Sequence, residues 1–311
     1  MLRIRLDKTA NENEMVIRRN CNLNCIWCHN DYFKHNGFIS ISNDKYLEII
    51  QRVINVSEEK DSYIRLGGNG DPLCVIIEDL CDLIVKLKSL QFVNRVDITT
   101  NGTLLEKYYI YLKESGVDSI TISINSLKRN TYREITGKDL LPNVLKGISL
   151  ARDIGIKMKI NVIYSSFNES EFDLYEDLSS NFEIPIKFFD LIYTKRTRVY
   201  YRPLENIQVK LKSKCTEITY QQVPYSREIY KLASGAEFQI KTAGKINLCP
   251  NSQCKYRKLC LEGCRHSIRI GINGILKPCG VRFDNEVDLL FENTTSKDIW
   301  NSLYSGGKVG Y

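Results

Sequence analysis

Histidine is scarce in this sequence. Only His29, His35 and His266 occur in 311 residues, so chemistry built on imidazole relays has few candidates. No run of 18 apolar residues is present, which excludes an ordinary membrane-spanning helix. The opening MLRIRLDKTANENE lacks the apolar core of a signal peptide, so a soluble, cytoplasmic protein is the expectation. Repeat arrays and low-complexity tracts are also missing, which leaves ordinary globular domains. What the chain does have is cysteine, eleven in all. In a reducing compartment so many thiols point to metal or cluster ligation rather than to disulfides.

Hydrophobic residues make up 43% and charged residues 26%, a globular balance. The length suits one large α/β domain with an appendage, or two ordinary domains. A net charge of +7 suggests an anionic partner: nucleic acid, nucleotide phosphates and a solvated basic face all fit. The basic stretch TKRTRVYYRPLENIQVKLKSK, residues 194–214, reads as an exposed inter-domain connector in preference to a nucleic-acid surface.

From residue 14 to about 192, strand-like and helix-like runs alternate. EMVIRR, SYIRL, RVDIT, VDSITISI, IKMKINVIY and IPIKFFDLI read as six strands. Between them, SNDKYLEIIQRVINV (with Ser42 as N-cap), VIIEDLCDLIVKLKSL, LLEKYYIYLKESG, PNVLKGISLARDIG (ending at Gly155) and SEFDLYEDLSS read as helices. That order predicts parallel β/α units, either a partial or complete barrel or an open doubly wound sheet. In both, ligand chemistry belongs at the carboxyl ends of the strands. Four unusual segments fall there: the cysteine loop, GGNGDP, TTNG and SINS. After residue 215 the pattern changes. AEFQIKTAGKINLC and SIRIGINGILKPC each read as a hairpin, the second turning at Asn273-Gly274, and SKDIWNSLY reads as a closing helix. The expected division is 1–195 for the barrel and 196–311 for a linker plus a small cysteine-rich domain.

The segment RRNCNLNCIWCHNDY holds Cys21, Cys25 and Cys28. A structural zinc site wants four ligands and disulfides use thiols in pairs, so a trio suits neither alone. Three thiolates on a 4Fe–4S cube leave one iron open to a small molecule, whereas a zinc site would need completion from elsewhere. The C-x3-C-x2-C spacing, with Trp27 before the last cysteine, resembles the signature of the radical S-adenosylmethionine (radical SAM) superfamily. That resemblance implies a partial (β/α)6 TIM-type barrel. It also implies a cluster whose open iron chelates S-adenosylmethionine, and reductive cleavage to a 5′-deoxyadenosyl radical that abstracts hydrogen from substrate. Gly68, Asn69, Gly70 and Asp71 stand where the family has its glycine-rich, methionine-contacting segment. Thr100, Ser123 and Asn125 stand in segments that contact S-adenosylmethionine. A plain strand-to-helix turn and ordinary strand-end polarity are the rival readings of these positions.

From GVDSITISINSLKRNTYREITG onward the chain resembles the molybdenum-cofactor GTP cyclase MoaA and its close relatives. On that resemblance Arg19, Arg65, Lys159, Lys187 and Arg269 are substrate-binding candidates, with surface or salt-bridged charge as the alternative. Together they would line the barrel mouth with positive charge suited to phosphate or carboxylate. Cys260, Cys264 and Cys279 resemble the cyclase's second-cluster pattern with one extra residue in each gap. Gly244-x4-Cys249, Gly274-x4-Cys279 and the C-x5-C-x3-C between them resemble instead the SPASM and twitch auxiliary-cluster domains. The expectation is one closed auxiliary 4Fe–4S cluster (two are allowed) with Cys254 ahead of Cys249 as fourth ligand; a zinc ribbon is the alternative. SerGlyGly at 305–307 is similar to the cyclase's C-terminal double glycine, but four residues follow it and a tail is the preferred reading. Cys74 and Cys81 read as core residues of one helix, Cys215 has no assigned role, and His29 is near the cluster or in packing.

The leading expectation is therefore a radical SAM enzyme acting on an anionic small molecule, perhaps a nucleotide, with an electron donor such as flavodoxin or ferredoxin. A ribosomally made peptide substrate is the second reading. A zinc or Fe–S regulator binding nucleic acid through residues 194–214 is the third.

Overall fold

In the computed structural model the described residues are 1–7, 21–28, 41–68, 70–192, 194–221, 227–241, 267–271, 273–278 and 285–305. The alternation seen in the sequence is realised. Strand β1 (Leu2–Leu6) precedes helix α1 (Asn43–Val56), and β2 (Ser62–Leu66) precedes α2 (Ile77–Lys88). Then come β3 (Val93–Thr100), α3 (Leu105–Glu114), β4 (Ser119–Ser123), α4 (Arg129–Thr136) and α5 (Leu141–Asp153). β5 (Met158–Tyr164), α6 (Phe172–Phe182) and β6 (Ile186–Asp190) complete the repeat. The remainder supplies α7 (Leu204–Lys214), β7 (Cys215–Gln221), β8 (Arg227–Leu232), β9 (Glu237–Lys241), β10 (Ser267–Ile270), β11 (Ile275–Lys277), β12 (Val287–Asp288) and α8 (Ser296–Trp300).

These strands form one sheet in the order β12-β11-β10-β1-β2-β3-β4-β5-β6-β9-β8-β7. The run from β10 to β9 is parallel, and antiparallel hairpins extend it at both edges. Strands after residue 195 therefore flank the barrel strands on both sides. Along β1, β2 and β5 the residues alternate between fully and partly buried, as LRIRL, SYIRL and MKINVIY suggest. The apolar set (Ile4, Ile64, Val96, Ile120, Ile160, Ile186) is wholly buried with the apolar faces of the helices. Each such side chain contributes ~1.5–3 kcal/mol, and a one-residue slip would turn the whole set to the other face. The opposite face carries Arg3, Arg5, Arg65, Lys159 and Lys187. A continuously apolar run would be expected if both faces were packed dry, so the alternation marks a polar interior.

Several expectations hold. Ser42 caps α1, its side chain accepting from Lys45 N. Gly155 follows the end of α5 with φ +73°, a conformation costly for any residue with a Cβ. The second hairpin is β10–β11, turning through Asn273 and Gly274, and SKDIW is helical. Others need correction. The strand beside β2 is Leu2–Leu6, which the sequence reading left unassigned, while EMVIRR lies outside the described residues. α4 was not anticipated; its mean polarity hides three buried positions, Tyr132, Ile135 and Thr136. Residues 194–214 are not merely an exposed connector. Their second half is α7, which buries Leu204, Ile207 and Leu211 against the core. Cys74 and Cys81 do not share a helix, because Cys74 ends a short 3-10 turn, Pro72–Cys74, capped by Asp71. Cys81 and Cys215 are half-buried against the core. Among the described residues, no helix is long and apolar enough to cross a membrane.

Candidate active site

The cysteine loop is held from two sides. On one, the Asn22 side-chain amide donates to Thr103 Oγ1 (2.8 Å), and Asn101 Nδ2 donates to Asn22 Oδ1 (2.9 Å) and to Cys21 Sγ (3.6 Å). Asn101 and Thr103 follow the carboxyl end of β3, so this clamp sits at the expected end of the sheet. On the other, Asn24 N donates to Thr136 O (2.8 Å) and Ile26 N to Ile135 O (3.0 Å), at the last turn of α4. Trp27 is 8% exposed and packs on Phe167 and Tyr200, with ring centroids 5.8 and 6.3 Å away. Ile135 and Leu191 join that cluster.

Beneath the loop lies Asp71, 4% exposed. Its carboxylate accepts from Thr100 Oγ1 (2.9 and 3.0 Å), Leu73 N (3.0 Å) and Asn101 N. Asp71 and Thr100 thus spend polar atoms on each other and position Asn101. Burial pushes the Asp71 carboxyl up despite these bonds. Gly70 has φ +86°, and a Cβ on Gly67 (φ +122°) would lie 2.6 Å from the backbone carbonyl oxygen of Thr99, so the segment passes where side chains do not fit. Asn125 Oδ1 accepts from Ile163 N (2.9 Å) and braces β5. Ser123 is half-buried at the end of β4. Arg19, Asn69, Cys249, Cys254, Cys260, Cys264 and Cys279 lie outside the described residues.

The donor set suits the implied cluster. Cys21, Cys25 and Cys28 are half-buried and not joined in disulfides. Burial, then the charge of Asp71, pushes the Cys21 thiol up, and the charge of Cys28 adds to this. Among the described residues no cation figures among the causes of that shift, and iron would supply positive charge. Among the described residues no trio of His, Cys, Asp or Glu converges as on a single metal ion. A cube, offering each thiolate its own iron, does not need that convergence.

A second feature occupies the polar face of the sheet. A cavity of ≈ 180 Å³ is lined by Arg3, Arg5, Arg65, Lys159, Lys187, Arg227, Lys241 and Arg269, with no carboxylate among the described residues of its wall. Four of the five basic candidates from the sequence thus meet in one place. β10 and β8 both contribute, although they stand eight strand spacings apart, ~38 Å in a flat sheet. The sheet must curl around the cavity for that, as in a partial barrel. The register places Arg269, Arg5 and Arg65 side by side on β10, β1 and β2. Lys187 lies between Asn161 and Gln239, and Lys159 beside Thr121.

Partners are defined for Arg65, Arg227 and Lys187. Arg65 Nη2 is 3.4 Å from Asp97 Oδ2, but Asp97 also serves Arg95 (2.7 Å) and the Tyr63 hydroxyl (2.8 Å). Arg227 donates to Gln239 Oε1 (2.8 Å) and Gln221 Oε1 (2.6 Å), which are neutral. Lys187 Nζ lies 4.7 Å from the centre of the Phe189 ring. Burial, followed by the charges of Arg227, Lys241, Arg3 and Arg65, lowers the Lys187 ammonium to about 6. Burial and Arg227, Arg95 and Arg65 lower Lys159 as well. Thr121 Oγ1 and Arg65 Nε are buried without a hydrogen-bond partner among the described residues. Sequence reasoning missed Arg3, Arg5, Arg227 and Lys241. The signal for the first two was the alternation LRIRL; Arg227 and Lys241 sit on strands β8 and β9.

Comparison with known proteins agrees with this arrangement. The family model described as the radical SAM superfamily matches residues 15–178, more than half the chain. A protein named "Probable GTP 3',8-cyclase" from Methanothermobacter thermautotrophicus is 30% identical over 295 residues, covering 91% of this chain and 89% of its own. The GTP 3',8-cyclase of Clostridium acetobutylicum is 28% identical over 276 residues, covering 86% and 80%. Among solved structures, Streptococcus suis SuiB bound to S-adenosylmethionine is similar with a TM-score of 0.63 at 16% identity, covering 98% of this chain and 67% of SuiB. SuiB has also been solved with its precursor peptide SuiA (TM-score 0.62, 16% identity, covering 98% and 66%). At that identity the likeness speaks to the fold. The curled parallel sheet, the triple-thiol loop at its carboxyl end and these relatives lead to one conclusion: the chain belongs to the radical SAM superfamily and is an enzyme of its MoaA-like group.

Proposed function

We propose that this radical SAM enzyme acts on a polyanionic small molecule, of the nucleotide class, whose anionic end sits in the basic cavity of the barrel. The observation that carries the reading is eight basic side chains around ≈ 180 Å³, with no carboxylate among the described residues of the wall. Guanidinium forks bind phosphate or carboxylate bidentately, and a partly dry wall strengthens each contact. When bound, the cluster and S-adenosylmethionine supply a 5′-deoxyadenosyl radical that abstracts hydrogen from the substrate.

The chain's own residues do the rest. Cys21, Cys25 and Cys28 would hold the cluster, and Asn101 and Asn22 fix the loop that carries them. The glycine-rich turn and the ends of β3 and β4 would cradle S-adenosylmethionine. Arg5, Arg65 and Arg269 on neighbouring strands, with Lys159 and Lys187 across the cavity, would anchor the anion. A substrate so anchored presents its other end toward the cysteine loop at the strands' carboxyl ends, and orientation of this kind is worth several powers of ten in rate. Cys254, Cys260, Cys264 and Cys279, with Cys249 in reserve, would hold an auxiliary 4Fe–4S cluster. A flavodoxin or ferredoxin in the cytoplasm would deliver the electron.

A peptide bearing acidic side chains is the second reading, favoured by the fold shared with SuiB. The test is anaerobic reconstitution, followed by assay of 5′-deoxyadenosine formation with nucleoside triphosphates and with acidic peptides. A triphosphate should stimulate turnover, and Arg269→Gln should raise KM about tenfold with unchanged iron content, as expected for one lost charged contact. Absence of 5′-deoxyadenosine under strong reductant, or indifference of KM to Arg269→Gln, would count against the proposal.

A further inference from the structure

Tyr132 is a buried polar side chain with no role so far. It is 1% exposed, and its hydroxyl has no hydrogen-bond partner among the described residues. An unpaired hydroxyl in a dry interior costs ~1–3 kcal/mol, and phenylalanine would fill the same ring volume without that cost.

The surroundings indicate what the hydroxyl serves. Tyr132, Ile135 and Thr136 form the buried face of α4 at i, i+3 and i+4. The cysteine loop hydrogen-bonds to the carbonyls of Ile135 and Thr136 through Ile26 and Asn24, the two neighbours of Cys25. Helical side chains lean toward the N-terminus, so Tyr132 leaves the same face one turn earlier. The hydroxyl thus leaves the helix face to which the segment flanking Cys25 is bonded, and a phenol is protonated, hence a donor, near neutral pH.

We propose that the Tyr132 hydroxyl donates a hydrogen bond to the sulfur face of the cluster held by Cys21, Cys25 and Cys28, and so raises its reduction potential. The proposal rests on the reading that this loop binds the cluster. Reduction adds negative charge to an iron–sulfur unit, and a donor aimed at sulfur stabilises the more negative state. Tyr132 acts through the cluster and is a positioning and tuning residue.

The experiment uses anaerobically reconstituted enzyme. The EPR signal that disappears in the Cys21/Cys25/Cys28 triple-alanine variant identifies the barrel cluster. A redox titration of that signal is then compared between wild type and Tyr132→Phe at equal iron and sulfide content. The variant's one-electron equilibrium should move about tenfold against reduction, ~59 mV more negative. 3-Fluorotyrosine at position 132, a stronger donor of nearly the same shape, should shift it the opposite way. Iron-free Tyr132→Phe should be at least as stable as iron-free wild type, because the hydroxyl has no hydrogen-bond partner among the described residues. An unchanged potential at full loading, or a marked loss of stability in the iron-free variant, overturns the proposal alone. A wild-type loop that binds no iron overturns the cluster reading and the proposal with it.

Discussion

Lys187 carries a measurable conflict between stability and function, and Lys187→Met exposes it. In the unfolded chain a lysine titrates near 10.4, whereas the crowded cavity holds Lys187 to about 6. Between those values the unfolded state binds one more proton, so stability rises with pH across that window. Near pH 8 the gap to the unfolded value is about 2.4 units, which at ~1.36 kcal/mol per unit gives ~3 kcal/mol of destabilisation. Water reaching the half-buried ammonium reduces this to ~2 kcal/mol. Methionine fills the stem's volume without the charge. The variant should therefore be ~2 kcal/mol more stable than wild type near pH 8, and its stability should climb less steeply with pH by up to ~1.4 kcal/mol per unit. Denaturant titrations of ligand-free protein at several pH values would show both effects. Calorimetry in buffers of different ionisation enthalpy should show wild type taking up about one proton on binding a polyanion, and the variant almost none. A less stable variant near pH 8, or parallel pH slopes, would refute the reasoning.

Two further outcomes concern the scaffold. Asp71→Ala removes the acceptor shared by Thr100, Asn101 and Leu73 in a buried network, and should cost ~3 kcal/mol. Because Asn101 also bonds Cys21 and Asn22, iron content after reconstitution should fall with it; full iron content in a folded Asp71→Ala would contradict that link. Gly147→Ala would put a Cβ 2.7 Å from Glu106 N and 2.9 Å from Leu105 Cβ, where α5 meets α3. Overpacking there should lower stability by ~1–3 kcal/mol while leaving iron content and KM of the folded fraction unchanged, checked by thermal melts beside kinetics.

Much of the architecture could be read locally. The β/α alternation and the position of unusual segments at strand ends are short-range patterns, and the structure realises them; the thiol trio is a short-range pattern too. Arg65, Lys159 and Lys187 alternate with buried apolar residues on their strands, so their shared face could be inferred from the period-two rule. What stayed hidden is non-local. Nothing in SIRI says that it lies beside LRIRL, or that EFQIK joins IKFFD, because parallel pairing between distant segments leaves no neighbouring turn signal. The rest was a matter of polar partners. Thr100, Asp71 and Asn125 look like cofactor contacts at strand ends, yet their side chains brace one another and the adjacent strands. Asn22, Asn101 and Thr103, which clamp the cysteine loop, are residue types too common in loops to single out beforehand.

The placement of β1 between β10 and β2 has a consequence for synthesis on the ribosome. The nascent chain can lay down its first six parallel strands long before Arg269 emerges, leaving the outer edge of LRIRL bare in the meantime. The basic cavity thus lacks one wall until Arg269 has been made. A chain released or nicked before β10 would keep its thiol loop but lack Arg269 in the cavity wall and leave its open edge unshielded from another chain.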